Sequence, residues 1–231
     1  MLHIIQNDPE VPPGNIAEIL EDTGAVFVVH HPYCGDPLPC PQDISALIVL
    51  GGSMGANDDG QHPFLYDLRL FIRQAVSDGI PYLGICLGGQ LLAAALGAQV
   101  VSNRWEELGN MAVELTAAGR AEILFSGLPT RFDTFQWHHD SFDIPAGGVV
   151  LASSKACPHQ AFRVGRCAWG TQFHTEVTEP IIRSWCAWDQ SATAQADDLV
   201  KEFVSQEQGY RAFSQRLLCN FLALSTIPPS K

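Results

Sequence analysis

The apolar positions along the chain fall into short blocks whose period switches between two and about 3.6, the signatures of strand and helix. His3-Ile4-Ile5 reads as a first strand, followed by a loop through Pro12, Pro13 and Gly14. Asn15 is placed to cap a helix whose Ile16, Ile19 and Leu20 share one face, with Gly24 as its stop. Ala25 to Val29 is a second strand and completes a βαβ unit. His30 to Pro41, with four prolines and two cysteines, is expected to be a loop near the strand ends. Ala46 to Leu50 is apolar throughout, as a parallel strand covered on both faces would be, and it ends at Gly51-Gly52-Ser53-Met54-Gly55. Leu65, Leu68, Leu70, Phe71, Ile72 and Val76 predict a helix closed by Asp78-Gly79. Tyr82 to Ile85 is the next strand, and it meets Cys86 between glycines before a helical pattern of Leu87, Leu91, Leu92, Ala95 and Leu96.

After Gly97 the blocks become shorter and alternate: Gln99 to Val101, Met111 to Leu115, Phe132 to Gln136, Val149 to Ala152, Ala161 to Val164 and Ala168 to Phe173. They predict a partly antiparallel extension of the sheet. Pro180 to Trp188 and Asp197 to Leu224 read as helices, and the tail from about residue 225, with Pro228-Pro229, is expected to fray. There is no repeat, low-complexity tract or dividing linker in the sequence, so a single α/β domain over 1–231 is expected, its central sheet mostly parallel.

Composition narrows the partners. A net charge of -12 argues against nucleic acid and anionic membranes, and no apolar run is long enough to span a bilayer. The N-terminus runs into a strand-like segment without a signal-peptide pattern, so a cytoplasmic protein is expected. Seven cysteines with no Cys-x-x-Cys pair suit a reducing compartment better than disulfides or zinc.

Three apolar runs end in residues with chemical capacity: Leu50 into Gly51-Gly52, Ile85 into Cys86, and Phe173 into His174-Thr175-Glu176. In an open parallel sheet ligands bind beyond such ends, and if the three strands are neighbours these residues share one crevice. Gly84-Ile85-Cys86-Leu87-Gly88 has the spacing of a nucleophile elbow with cysteine as the nucleophile; the competing reading is a small core cysteine. A helix start and a nearby imidazolium would lower the thiol pKa below the ~8.5 of a free cysteine. His174 and Glu176 lie two apart, so on an extended segment the carboxylate can orient the imidazole toward Cys86. No second pair of ligand residues accompanies them, and a metal is not expected. The N–H groups of Gly52 and Leu87 are the candidate oxyanion donors, each worth about 3 kcal/mol in comparable sites.

Taken together, these segments resemble class I glutamine amidotransferases of the triad type, closest to the amidotransferase domain of GMP synthetases and its stand-alone relatives. Gly84 to Gln90 is similar to the family's nucleophile motif, Gln172 to Glu176 to its His-Pro-Glu motif, Gly51 to Met54 to its oxyanion strand, and Gln136 to Asp140 to the region lining the glutamine pocket. The resemblance implies a flavodoxin-like three-layer sandwich. It implies that Cys86 attacks the glutamine amide, that His174 protonates the leaving ammonia and activates water, and that Glu176 holds His174. Gln90, Trp137, His138 and His139 are the implied substrate-binding set, with a packed histidine as the competing reading for His138. No cofactor is implied. Three departures stand out: Thr175 and Ser53 where proline is usual, and His139 where glycine is common. Glu107-Leu108-Gly109 lies where relatives carry an acidic motif, with a solvated turn as an equal reading.

The residues after Leu224 leave no room for a synthetase domain that would use the ammonia. Three readings follow: a glutaminase subunit serving a separate ammonia-accepting synthetase, a stand-alone hydrolase of γ-glutamyl amides or peptides, or a non-catalytic binding protein. The presence of Cys86, His174 and Glu176 together weakens the third.

Overall fold

In a computed structural model of the chain, which describes residues 1–225, the alternating blocks fold into a three-layer sandwich. The tail around Pro228-Pro229 lies outside the described residues. The first half runs β1 (Leu2–Ile5), α1 (Gly14–Asp22), β2 (Phe27–His30), β3 (Ala46–Val49), α2 (Phe64–Ser77), β4 (Tyr82–Ile85) and α3 (Leu87–Ala95). The second half runs β5 (Val100–Val101), β6 (Glu107–Leu115), α4 (Ala117–Ala121), β7 (Arg131–His138), β8 (Ser141–Phe142), β9 (Val149–Ser154), β10 (Ala161–Val164), β11 (Ala168–Thr171), α5 (Glu179–Trp188) and α6 (Ala196–Ser225).

Among the described residues the main sheet has nine strands in the order β2-β1-β3-β4-β11-β10-β9-β6-β7. The five from β2 to β11 are parallel and the rest are antiparallel. Because side chains alternate across a strand, Ile4, Ile48 and Leu83 enter one core with Ile16 and Ile19 of α1 and Phe213, Leu217 and Phe221 of α6. Ile5, Leu47, Val49 and Tyr82 enter the other, against Leu65, Leu68 and Ile72 of α2 and Leu91 and Leu92 of α3. Each such side chain contributes about 1.5–3 kcal/mol by leaving water. That two-sided cover is why these strands read as unbroken apolar runs.

Three local expectations are corrected. Asn15 does not cap α1; the cap position is Pro13, and Asn15 is buried with its backbone N–H on the Glu176 carbonyl (2.8 Å) and its amide on the Thr175 carbonyl (3.4 Å). Gln99 to Val101 does not extend the main sheet, since β5 pairs with β8 in a separate two-stranded sheet. The strand expected from Met111 begins at Glu107, so Glu107-Leu108-Gly109 is not a turn.

α3 lies close over the parallel strands, and glycines permit the approach. A Cβ on Gly84 would overlap the Gly88 carbonyl, and one on Gly88 would overlap the Val49 carbonyl. Backbone cannot give way as a flexible side chain can. Gly88→Ala is therefore expected to lose at least about 1–3 kcal/mol of stability, read as a lower urea midpoint with an unchanged slope.

Candidate active site

β3, β4 and β11 are adjacent in the sheet, so their carboxyl ends bring Gly51, Cys86 and the segment Gln172 to Glu176 to one place. Cys86 occupies the single residue between β4 and α3, with φ 50 and ψ -108, a conformation a side chain rarely adopts. Such a residue stores about 1–3 kcal/mol and persists only where its neighbours hold it. Here its N–H is bonded to Thr171 O (2.9 Å) and its carbonyl accepts from Gln90 N (3.0 Å). The thiol is 6% exposed and lies within sulfur hydrogen-bond range of the Trp137 carbonyl (3.8 Å) and the Gln172 amide nitrogen (3.7 Å). Gln172 stood in the sequence motif without a role; its amide is a donor aimed at the sulfur.

His174 Nδ1 meets Glu176 Oε1 at 2.6 Å, both side chains buried. The other ring nitrogen, Nε2, is buried with no hydrogen-bond partner among the described residues, and the Cys86 sulfur is one of the groups that raise the ring's pKa. Burial pushes the imidazole toward its neutral form, but the Glu176 carboxylate and the Cys86 sulfur outweigh it and hold the pKa well above its ordinary 6.5. The segment is a bend rather than a regular strand, tied to β7 by His174 N to Phe135 O (3.0 Å) and Thr134 Oγ1 to His174 O (2.9 Å). Beyond it, Val177 N donates to the Tyr210 hydroxyl of α6 (3.0 Å).

Both proline departures are accounted for by hydrogen bonds. Thr175 N donates to Glu176 Oε2 (2.9 Å), and Ser53 N donates to Asp8 Oδ2 (3.0 Å), bonds that a proline at either position would lack. In each case a carboxylate fixes a loop where ring rigidity would otherwise do so.

Leu87 opens α3, so its N–H is one of the first-turn donors that have no acceptor within the helix. Gly52 lies beside it; an added Cβ would stand 2.8 Å from Leu87 Cδ2 and 2.6 Å from the Met54 sulfur. Gly51 is closer to the thiol and imidazole, since a Cβ there would lie 3.4 Å from His174 Cε1 and 3.6 Å from Cys86 Cβ. Cys86 stands at the meeting of two arms of a crevice. The larger, about 310 Å³, is lined by Gln90, Trp137, His138, His139, Asp140 and Asp189. The smaller, about 50 Å³, holds His174. Of the sequence-derived candidates, Gly52, Cys86, Gln90, Trp137, His138, His139 and His174 border this crevice, while Glu176 and Leu87 are buried behind it, and those at the crevice do not face it in one manner. Gln90 Nε2 is occupied by the Asp140 carbonyl (3.0 Å), and His139 is half exposed and paired with Glu106 (2.9 Å). His138 has both ring nitrogens against acceptors, Asp140 O and Glu107 Oε2, each at 3.2 Å, which matches the packed-histidine reading.

For Glu107 the structure favours the acidic-motif reading over the solvated turn. It is 4% exposed, and it accepts from Ser154 Oγ (2.6 Å), Gln160 Nε2 and His138. Glu107, His138 and Cys157 bring possible ligand atoms within 4.8 Å of one another. The carboxylate oxygens are already matched to protein donors, so the cluster serves to fix the wall from Trp137 to Asp140. Glu107→Ala would leave His138 and Gln160 buried without their acceptor, and it is expected to cost about 3–5 kcal/mol of stability, measured by chemical denaturation.

Comparison with known proteins bears on the fold and the family. A crystal structure of a glutamine amidotransferase from Thermotoga maritima superposes with a TM-score of 0.87 at 29% identity, covering 96% of this chain and 97% of that one. A glutamine amidotransferase-like protein of Salmonella typhimurium is 29% identical over 217 residues, 92% of this chain and 90% of that protein. The glutamine-hydrolyzing GMP synthase of Syntrophomonas wolfei is 38% identical over 187 residues, 74% of this chain but 34% of the synthase, so the chain spans about a third of that relative. The model of the family described as glutamine amidotransferase class-I matches residues 15–180, and the chain belongs to that family.

Proposed function

We propose that residues 1–231 act as one amidotransferase domain that hydrolyses the side-chain amide of glutamine through a cysteine thioester. The observation that carries this reading is the Glu176–His174 bond beside the constrained Cys86, which shares an arm of the crevice with His174 where three adjacent strands end. The raised pKa of His174 favours the imidazolium, which carries the proton that the leaving nitrogen needs. Cys86 Sγ attacks the amide carbon, and the N–H groups of Gly52 and Leu87 receive the developing oxyanion. His174 gives its proton to the leaving nitrogen as the C–N bond breaks. Water then attacks the thioester, His174 takes its proton, and glutamate leaves. The Gln90 side chain and the backbone from Trp137 to His139 hold the α-amino and α-carboxylate ends, with the half-buried Asp189 carboxylate, which accepts from Ser191, beside them.

Two destinations for the nitrogen remain within this reaction. Similarity to one third of a glutamine-hydrolyzing GMP synthase supports transfer of ammonia to a separate synthetase subunit. An apolar arm beyond the scissile bond supports hydrolysis of substituted γ-glutamyl amides by the chain alone. Cysteines without disulfides among the described residues suit a cytoplasmic setting. The test is release of glutamate and ammonia from glutamine by purified protein, together with labelling of Cys86 by a glutamine-like electrophile. Absence of both would end the enzymatic reading.

A further inference from the structure

The two arms of the crevice differ in chemistry. The larger presents amide, carboxylate and imidazole groups, the equipment for an amino-acid head. The smaller is walled by Val11, Trp137, Trp185 and Trp188, of which Trp137 and Trp188 also border the larger arm. His174 lines the smaller arm. The group that protonates the departing nitrogen must face that nitrogen, so whatever the nitrogen carries points into the indole-walled arm. Ammonia is small and polar and gains nothing from such walls.

α5 supplies two of the indoles one turn apart. Trp185 is buried, edge-on to His174 with ring centres 4.9 Å apart and 5.4 Å from the Trp137 ring. Trp188 stands at the mouth, 58% exposed, one of the large apolar side chains left in water. Burying it against a ligand would be favourable. The acidic residue on this arm, Glu10, is tied to the frame: its carboxylate accepts from Ser184 Oγ (2.6 Å) and its carbonyl from Trp185 Nε1 (2.6 Å). It does not wait for a cation.

We infer that the indole-walled arm, about 50 Å³, and the exposed Trp188 face at its mouth together receive an uncharged apolar group on the leaving nitrogen, so that the preferred substrates are γ-glutamyl amides of primary amines bearing aromatic or branched aliphatic groups. This rests on the thioester reaction proposed above. The bond from carbonyl carbon to nitrogen breaks, the nitrogen takes the His174 proton and leaves as a primary amine, and one water completes glutamate and restores the thiol.

The experiment compares kcat/KM of the full chain for glutamine, γ-glutamylbenzylamide, and the γ-glutamyl monoamide of a diamine whose far end carries an ammonium. The benzylamide is expected to exceed both others by about tenfold or more, within the roughly 10–200-fold that an apolar group brings in a hydrophobic pocket. Trp188→Ala is expected to lower the ratio of benzylamide to glutamine about tenfold, and Trp188→Phe to retain most of it. A benzylamide turned over no better than glutamine, a preference for the cationic amide, or an unchanged ratio in Trp188→Ala would overturn the inference. If glutamine is hydrolysed and the benzylamide is not, the inference fails while the proposed reaction stands. If neither is hydrolysed and Cys86 stays unlabelled, both fall together.

Discussion

Cys86→Ala is expected to lower kcat/KM for glutamine by about 10⁴-fold or more, to the detection limit of glutamate release, because no other group at the site can form the covalent intermediate. The side chain is small and nearly enclosed, and alanine fits the same turn, so far-UV circular dichroism and the urea midpoint should change little. Covalent labelling by a glutamine-like electrophile should disappear with the activity. The chain carries seven free cysteines among the described residues, so labelling that persisted in Cys86→Ala would move the nucleophile elsewhere. The other thiols lack this setting. Cys157, Cys167 and Cys186 are pushed upward in pKa by burial, the opposite of what a nucleophile needs.

Glu176→Gln is the second large effect, expected at about 10²–10⁴-fold in kcat, since an amide neither stabilises an imidazolium nor fixes the tautomer as a carboxylate does. Its pH signature separates it from simple damage. The protonated imidazole is required to pass a proton to the leaving nitrogen, and its pKa is raised by Glu176 and Cys86 against the pull of burial. The alkaline limb of the kcat profile should therefore lie well above pH 6.5, and Glu176→Gln should move it to lower pH because the proton is then lost more easily. Stability follows the same sign. Folding raises the affinity of His174 for its proton, so this contribution is fully present below pH 6.5 and is lost as pH rises through the elevated folded value. A limb that stayed in place in Glu176→Gln would detach the carboxylate from the imidazole's titration.

The parts of the site built from local rules were legible before the structure. The apolar runs β3 and β4 and the glycines around Cys86 each leave a local mark, because a buried parallel strand and a close helix crossing restrict residue type at fixed spacing. The order of the strands that joins them was inferred only as a condition, and β11 between β4 and β10 satisfies it. What escaped was set by tertiary contact. For Glu107 an acidic motif and a solvated turn stay equal readings in the sequence, because its burial is compensated by Ser154, Gln160 and His138, all far along the chain. Asn15 has the composition of a cap, but its side chain is drawn to Thr175, and Pro13 takes the cap position. Trp185 and Trp188 carried a signal, two indoles three apart on a helix, yet only the docking of α5 turns that face toward Cys86. Thr175 and Ser53 were visible as departures; that each lends its N–H to a carboxylate was not.

The grip on the segment from His174 to Val177 carries one more consequence. Asn15 reaches it across 160 residues of sequence, Thr134 across 40 and Tyr210 across 33, while Cys86 meets Trp137 across 51 and Gln172 across 86. Contacts of such high order form only after the intervening loops have closed, and the entropy of closure delays them relative to local helices. The assembled site therefore belongs to the finished topology, and during refolding the proposed activity should return after the helical signal has already recovered.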